Sequence, residues 1–266
     1  MKSVLLAAIG IVFLASCAST NNHDVTTAVR ADLAPTGKLR AGINVNNRLL
    51  TRTDPATGET RGIAVDIALE LGRRLGVPVE LVIFKGAGNL ADAAPSNRWD
   101  VGLIGADPKR ATHITFTAPY AEIEATYLVP GGSSFKSIAD VDRDGVRISV
   151  PAKSAYDLYL TRALKHATLV RTKGQGPAFK LLASGKADVM AGLRPVLIGF
   201  SAKLPGSRVL DGRYTIVNQA MASIKGREAG AKYLAAFVED IKASGLVAQT
   251  IEKNRVKGVG VAPPAR

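Results

Sequence analysis

Short apolar runs alternate along this chain with segments in which apolar residues recur at helical spacing. Residues 39–45 have the length and composition of a buried strand, and Ile63, Ile67, Leu71 and Leu75 then fall on one face of a helix. The same alternation continues to about residue 203. Strands and helices in this order form a mainly parallel sheet with helices on both faces, so the sequence predicts an α/β fold.

Two such α/β units are expected, because the alternation is interrupted once. Residues 130–134 read Pro-Gly-Gly-Ser-Ser, which is typical of a linker, and a second unit of strands and helices follows. The apolar run 214–224 is long enough to return to the first unit, and 228–244 has the pattern of an amphipathic helix. We therefore expect two lobes that face each other across a cleft, with crossovers near residues 129–132 and 219–222.

The amino terminus has the pattern of an export signal. Lys2 precedes an apolar run over residues 4–14, which is shorter than the about 20 residues that a bilayer span needs. Residues 14–17, Leu-Ala-Ser-Cys, resemble the lipobox of bacterial lipoproteins, in which the cysteine is acylated and becomes the first residue. We expect an exported, membrane-anchored lipoprotein. The alternatives are a plain signal peptide cut near Cys17 or Ala18 and an unmodified thiol.

Composition limits the remaining function classes. Cys17 is the only cysteine, so no internal disulfide forms and the hydrophobic core alone must hold the fold. The formal charge is +13, but the basic residues are scattered and form no basic helix, which argues against nucleic-acid binding. Steering of an anionic ligand, attraction to anionic headgroups and a generally basic proteome all remain open. His23, His113 and His166 are not clustered as a metal site or catalytic triad requires, and we expect no metal and no cofactor.

Arg110 is the side chain with the most informative surroundings. Residues 100–105 are predicted to form a buried strand ended by a turn at 107–108, and a second turn at 116–120 leads into a strand over 124–130. A guanidinium held at the carboxyl end of a strand is able to grip a carboxylate through two parallel hydrogen bonds. The alternative is a surface arginine paired with a nearby acid.

Residues 110–111, Arg-Ala, followed by residues 116–120, Phe-Thr-Ala-Pro-Tyr, resemble the signature of the bacterial extracellular solute-binding proteins of family 3. Residues 62–67 and 181–191 match further pieces of that family's pattern in the same order. The resemblance implies the type II periplasmic binding fold, with Arg110 as the clamp for a ligand carboxylate. The implied organisation is a leader at 1–17, a tether at 18–35, lobe one at 36–129 and 219–266, and an inserted lobe two at 130–218.

Further site candidates follow from the predicted fold, because open α/β sheets bind ligands beyond the carboxyl ends of their strands. The candidates at such positions are Asn44, Asn46, Asn47, Lys85, Gly105, Arg110, Lys153, Ser154 and Arg194. The family often has an aromatic lid at the position of Asn47, so an amide there favours a more polar ligand, unless the asparagines only serve turn geometry. The family also uses Ser or Thr at the position of Ser154 to hold the carboxylate. A helix start favours an anion, although Ser154 is equally an ordinary helix cap.

One departure from the family pattern concerns the solute. Amino-acid binders of the family usually carry an acid at or beside position 193 to receive the ligand's ammonium group, whereas this chain has Leu193 and Arg194. Inside a closed cleft, Arg194 would repel an ammonium group that has no carboxylate partner. We therefore expect a carboxylate-bearing solute without a free ammonium group, such as a dicarboxylate that bridges Arg110 and Arg194. The alternative is that Arg194 points to solvent or pairs with an acid elsewhere.

The resemblance implies a lone binding module rather than an enzyme. The sequence ends at Arg266 without a kinase, transglycosylase or membrane-spanning extension, and the lobe-two loops offer no obvious acid catalyst. We expect a monomeric periplasmic component of an ABC importer, which closes on a small anionic solute and docks on a permease in the inner membrane. The alternatives are a periplasmic dehydratase-like enzyme and a ligand-sensing lipoprotein.

Overall fold

The computed structural model describes residues 24–266 as a mixed α/β protein. The helices are α1 (Thr27–Leu33), α2 (Ile63–Leu75), α3 (Ala87–Asp92), α4 (Ala155–Ala163), α5 (Gln175–Ala183), α6 (Arg194–Ser201), α7 (Glu228–Ala243) and α8 (Leu246–Lys253). The strands are β1 (Leu39–Asn44), β2 (Arg52–Thr53), β3 (Thr60–Arg61), β4 (Val79–Phe84), β5 (Val101–Gly105), β6 (Ile114–Val129), β7 (Arg147–Pro151), β8 (Thr168–Thr172), β9 (Val189–Leu193), β10 (Arg208–Val209), β11 (Thr215–Ile224) and β12 (Gly260–Val261). The predicted leader, Cys17 and the first part of the predicted tether lie outside the described residues. Within them, none of the helices combines the length and the apolar character that a bilayer span requires.

A ten-stranded sheet runs through the molecule in the order β4-β1-β5-β11-β6-β9-β7-β8, with β10 and β12 paired to β6. Strands β1, β4 and β5 are parallel to one another, as are β7, β8 and β9, which confirms the predicted α/β class. The long strands β6 and β11 are antiparallel and join the two parallel groups. We call the part built on β4-β1-β5 lobe one and the part built on β9-β7-β8 lobe two.

The chain passes between the lobes inside β6 and β11. Ala125 of β6 pairs with Thr215 of β11 and with Leu193 of β9, so the first passage comes before the predicted crossover at 129–132. Strand β11 already pairs with β5 of lobe one from Gln219 onward, so the return passage also comes earlier than predicted. The crossovers are therefore strands of the sheet itself.

The turn predicted at residues 116–120 is wrong, because these residues continue β6. Proline has no N–H group for the strand ladder and is found at bulges and edges. Pro119 lies opposite Ala220, where the pairing of β6 with β11 shifts register, and the irregular pairing accommodates it. The Pro-Tyr pair thus marks a bulge in a long strand.

Helix α2 forms where its spacing predicts it. Ile63, Ile67, Leu71 and Leu75 have no exposed surface and belong to the main hydrophobic core. Gly76 ends the helix with a left-handed φ of 65°, as the sequence pattern indicates.

Residues 27–33, which were predicted as part of a tether, form helix α1 and pack on lobe one. Thr26 caps the helix by accepting a hydrogen bond from the Val29 N–H at 3.2 Å, and Val29 and Leu33 are buried. Asp32 Oδ2 accepts a hydrogen bond from the Gly230 N–H of α7 at 2.8 Å. The prediction is wrong here because only two apolar residues mark the buried face, and the polar residues around them are typical of a linker.

Candidate functional site

A cavity of about 720 Å³ lies between the lobes, at the carboxyl ends of the parallel strands. Lobe one contributes residues that follow β1, β4 and β5, and lobe two contributes the start of α4 and residues at the ends of β7, β8 and β9. The polar residues that line it are Asn44, Asn46, Asn47, Lys85, Asn89, Arg110, Lys153, Ser154, Tyr156, Arg171, Thr172, Lys173, Gln175 and Gln219. Both the position and the volume are typical of small-molecule sites in α/β proteins.

Five of the predicted ligand-binding residues line this cavity, namely Asn47, Lys85, Gly105, Arg110 and Ser154. Asn44, Asn46 and Lys153, which were selected by the same rule of strand ends, line it too. The structure therefore brings both lobes' candidates to one place. Their contacts with a solute stay predictions.

Arg110 begins the short 3-10 turn after β5, and only 6% of its surface is exposed. One Nη group donates to the Gly105 carbonyl of its own lobe, and the other donates to the Lys153 carbonyl of lobe two at 2.8 Å. Burial lowers the pKa of Arg110 to about 10, against the opposing effect of the Asp107 and Asp92 carboxylates, so the side chain is charged at neutral pH. A guanidinium has five N–H donors, so donors remain for a carboxylate in the cavity. Arg110 is not the surface arginine of the alternative interpretation.

Helix α4 points its amino terminus at the cavity. Ser154 is the N-cap, and its Oγ accepts a hydrogen bond from the Asp157 N–H at 3.0 Å. The first N–H groups of an α-helix have no acceptor within the helix, and the first two residues of α4, Ala155 and Tyr156, both line the cavity. These donors and the helix dipole favour an anion at this end. The cap and the predicted anion site are therefore compatible.

The two lobes touch at one edge of the cavity through Lys153. Its Nζ atom lies 2.5 Å from Asp92 Oδ2 of α3, and its side chain packs against Gly88. A Cβ atom added at Gly88 would lie 2.5 Å from Lys153 Cβ, so the absence of a side chain at Gly88 permits this approach. A second bridge joins Arg162 Nη2 of lobe two to Asp107 Oδ2 of lobe one at 2.8 Å. These contacts hold the lobes together around the cavity.

The cavity is cationic. Its charged lining residues are Lys85, Arg110, Lys153, Arg171 and Lys173, and no Asp or Glu between residues 24 and 266 lines it. Leu193 lines the cavity with an apolar and almost fully buried side chain. Over the same residues, no group of three or more His, Cys, Asp or Glu side chains is placed to hold a metal ion.

Arg194 lies outside the cavity, contrary to the prediction that it faces the solute. Its Nε donates to Glu124 Oε2 of β6 at 2.7 Å, and its other nitrogens donate to backbone carbonyls of the loop before β11. Glu124 also accepts a hydrogen bond from Arg213, and hydrogen bonds from the two arginines lower the pKa of the Glu124 carboxyl. The predicted bridging of a dicarboxylate by Arg110 and Arg194 is therefore wrong. An acid elsewhere pairs with Arg194, as the alternative interpretation has it.

Several lining residues of lobe two were missed by the sequence analysis. Arg171 and Lys173 stand at the carboxyl end of β8, so the rule that selected Lys85 after β4 also selects them. Tyr156 and Gln175 lie in the first turns of α4 and α5, where no residue type marks them as ligands. Burial raises the pKa of Tyr156 to about 12, so its hydroxyl stays protonated.

Comparison with protein families and curated proteins gives two further findings. The family model of the bacterial extracellular solute-binding proteins, family 3, matches residues 39–255. The ABC transporter glutamine-binding protein GlnH of Bacillus subtilis (strain 168) is 22% identical over 250 residues, which cover 91% of this chain and 91% of that protein.

Solved structures share the arrangement of the lobes. The solute receptor for L-cysteine of Neisseria gonorrhoeae gives a TM-score of 0.73 at 21% identity, covering 88% of this chain and 96% of that one. An ancestral amino acid-binding protein, a precursor of cyclohexadienyl dehydratase, gives a TM-score of 0.70 at 24% identity. The match covers 86% of this chain and 99% of that one. The fold is the two-lobed type II periplasmic binding fold. Because the family model spans nearly all of both lobes, the chain belongs to the bacterial extracellular solute-binding proteins of family 3.

Proposed function

We propose that this protein is the solute-binding component of an ABC importer and captures a small carboxylate-bearing solute that has no free ammonium group. The observation that carries the proposal is the charge of the interlobe cavity, where five cationic residues line the wall and none of the described acids does. Family membership and the likeness to an ABC transporter glutamine-binding protein support the transport role.

The solute's carboxylate is proposed to lie between Arg110 and the start of α4. Arg110 is already fixed by backbone carbonyls of both lobes, so little side-chain freedom is lost when it binds a ligand. The hydrogen bond to the Lys153 carbonyl exists only while the lobes are in contact. Solute binding and lobe closure therefore stabilise one another.

An α-amino acid is the competing solute, because the relatives are named for glutamine and L-cysteine. Its ammonium group needs a carboxylate or several neutral acceptors. Leu193 offers neither, and the charged groups of the lining are cations. Two like charges about 4 Å apart repel by roughly 4 kcal/mol at an effective dielectric constant of about 20. Neutral acceptors alone remain to receive an ammonium group, namely the asparagine and glutamine side chains, the hydroxyls of Ser154, Tyr156 and Thr172, and backbone carbonyls.

We propose binding without catalysis. The likeness to a precursor of cyclohexadienyl dehydratase raises the alternative of an acid-catalysed elimination, which requires a carboxyl group beside the reacting bond. Within residues 24–266, the cavity wall contains no such group. Incubation of the protein with each solute that binds, followed by chromatography, tests this point, since any product would favour an enzyme.

We also propose export and anchoring by a lipid on Cys17 in the periplasm, where the importer's permease is met at the inner membrane. Residues 18–26 separate Cys17 from helix α1, which is docked on lobe one. Incorporation of labelled palmitate tests the anchor. We expect a labelled membrane-bound protein that Cys17→Ser converts into an unlabelled one. Equal labelling of both proteins would contradict acylation at Cys17.

Isothermal titration calorimetry with matched solutes tests the proposed solute class. Aspartate is paired with succinate and glutamate with glutarate, so that the members of each pair differ in the amino group. We expect binding of the acids without the amino group and little or none of their amino counterparts. Tight binding of ordinary α-amino acids, with no response to the matched acids, would contradict the solute class and leave the family assignment intact.

A further inference from the structure

The same four-residue pattern, Lys-Gly-x-Gly, follows an outer strand in each lobe, at residues 85–88, Lys-Gly-Ala-Gly, and at residues 173–176, Lys-Gly-Gln-Gly. A third copy, at residues 257–260, follows helix α8 and does not line the cavity, so only the first two copies are compared. Each of these two copies begins directly after the outermost parallel strand of its lobe, β4 or β8, and leads into the next helix, α3 or α5. The first glycine has a positive φ in both, 143° at Gly86 and 129° at Gly174, which residues with a side chain rarely adopt. The two lysines therefore occupy equivalent places in the two lobes.

Lys85 and Lys173 both line the interlobe cavity, and both are exposed to it. Neither lysine forms an ion pair with any residue between 24 and 266, whereas Lys153 and Arg171 of the same cavity are each paired with an aspartate. Two cations that face one cavity are thus left without a counter-charge from the described part of the protein. An anionic group between them would be attracted by both.

The two lysines and Arg110 lie in different parts of the cavity. Strands β4 and β8 lie at the two ends of the sheet, whereas β5, which leads to Arg110, lies further inside it. We infer that the solute carries a second acidic group, which Lys85 and Lys173 bind while Arg110 holds the first. This inference rests on the proposed function, because it takes the first carboxylate to lie at Arg110. The solute class is then a dicarboxylic acid.

A pair of lysines from opposite lobes also couples the second acidic group to closure. Each lysine carries a compact charge on a flexible stem, so either one is able to follow a ligand that is bound to its own lobe. Both lysines reach the same carboxylate only when the lobes are together. A dicarboxylate therefore stabilises the closed form through both of its carboxylates. A monocarboxylate does so only through the one carboxylate that Arg110 binds.

Calorimetric titration with acids of equal chain length tests the inference. Succinate is paired with butyrate and glutarate with valerate, so that each pair differs in the second carboxylate. We expect the wild type to bind the diacid at least about tenfold more tightly than the monoacid. Lys85→Gln and Lys173→Gln should each weaken the diacid by about tenfold and leave the monoacid within about twofold. Lys186→Gln replaces an exposed lysine outside the cavity and, as the control, should change neither affinity.

Equal affinities for the diacid and the monoacid in the wild type would overturn the inference and leave the proposed carboxylate site standing. Equal losses of diacid and monoacid in both lysine variants would also overturn it, because the lysines would then act only through overall charge. Tight binding of α-amino acids with none of the acids would overturn the inference together with the proposed function. Thermal unfolding of the unliganded variants, expected to match the wild type, assigns any loss of diacid affinity to the site.

Discussion

At the scale of single residues, Arg110 and Lys153 form the contact around which the cavity is built. Arg110 donates to one carbonyl of each lobe, and Lys153 supplies one of these carbonyls while its own ammonium reaches Asp92. The backbone at Lys153 is left-handed, with a φ of 57°, which costs a residue with a side chain about 1 to 2 kcal/mol. Its N–H donates to Asp157 Oδ2 at 2.7 Å, which stabilises this conformation. Backbone strain of this kind is common at binding sites.

Gly88→Ala is expected to hold the lobes apart. The new Cβ would lie 2.5 Å from Lys153 Cβ and 2.8 Å from Lys153 Cδ, which are distances that real structures do not tolerate. We expect the affinity for the solute to fall by about tenfold or more, with the stability of the unliganded protein preserved because alanine favours a helix. Calorimetric titration with the solute measures the loss of affinity. The radius of gyration from X-ray scattering with solute present measures whether the lobes close.

Gly176→Ala is the matched control for Gly88→Ala, because Gly176 holds the equivalent place in α5. A Cβ atom added there meets no heavy atom within 4 Å. This variant should bind the solute and become compact as the wild type does. If Gly88→Ala behaves in the same way, the contact between Gly88 and Lys153 has no part in closure.

At the scale of helices and strands, local periodicity predicts an element well when one of its faces is buried against the sheet. Helix α2 shows this, since every fourth residue from Ile63 is buried. The bounds of helix α8 were not predicted, because Gly245 ends one helix and at once caps the next, with a φ of 78°. The length of β6 was also missed, because Pro119 indicates a turn unless the register shift against β11 is known. Pairing with a distant strand is information that a local pattern does not contain.

Helices α2 and α7 are linked by a charged network that should make the stability sensitive to acid. Hydrogen bonds from Arg73 and Arg74 lower the pKa of Glu70 to about 2, and Arg74 Nη1 lies 2.5 Å from Asp240 Oδ2 of α7. Because the folded pKa lies below the unfolded value, the stabilisation is present above about pH 4.5 and is lost as the pH falls toward 2. We expect Glu70→Gln to lower the free energy of unfolding by about 1 to 2 kcal/mol at neutral pH, with a smaller difference near pH 3.

Urea unfolding of the wild type and Glu70→Gln between about pH 3 and 7 measures this effect. Glu80→Gln is the control, because Glu80 pairs with Lys38 on the surface and both side chains are about half exposed. Such a pair contributes about 0 to 1 kcal/mol. If the free energies of unfolding of the wild type and Glu70→Gln change in parallel with pH, Glu70 is not the source of the sensitivity to acid.

At the scale of the whole molecule, the cavity follows from the topology of the sheet. Strand order alone brings Asn47, Lys85 and Ser154 to one place, which is why their positions could be predicted from the sequence. The direction of Arg194 could not, because it depends on Glu124, which lies 70 positions earlier in the chain. The contacts between the lobes could not be predicted from the sequence either. They form only where two separately folded surfaces meet.

Arg110 is the residue on which the proposed solute capture depends most. Calorimetric titration of Arg110→Lys and Arg110→Ala with the tightest-binding acid tests this directly, because lysine keeps the charge and loses the planar fork that bridges both lobes. Arg143→Lys is the control, since Arg143 is exposed and pairs with Asp140 in its own segment.

We expect both Arg110 variants to lose about a hundredfold or more in affinity while remaining folded in the absence of solute, and the Arg143 control to bind as the wild type does. Binding by both Arg110 variants within about threefold of the wild type would contradict the capture of a carboxylate between the lobes.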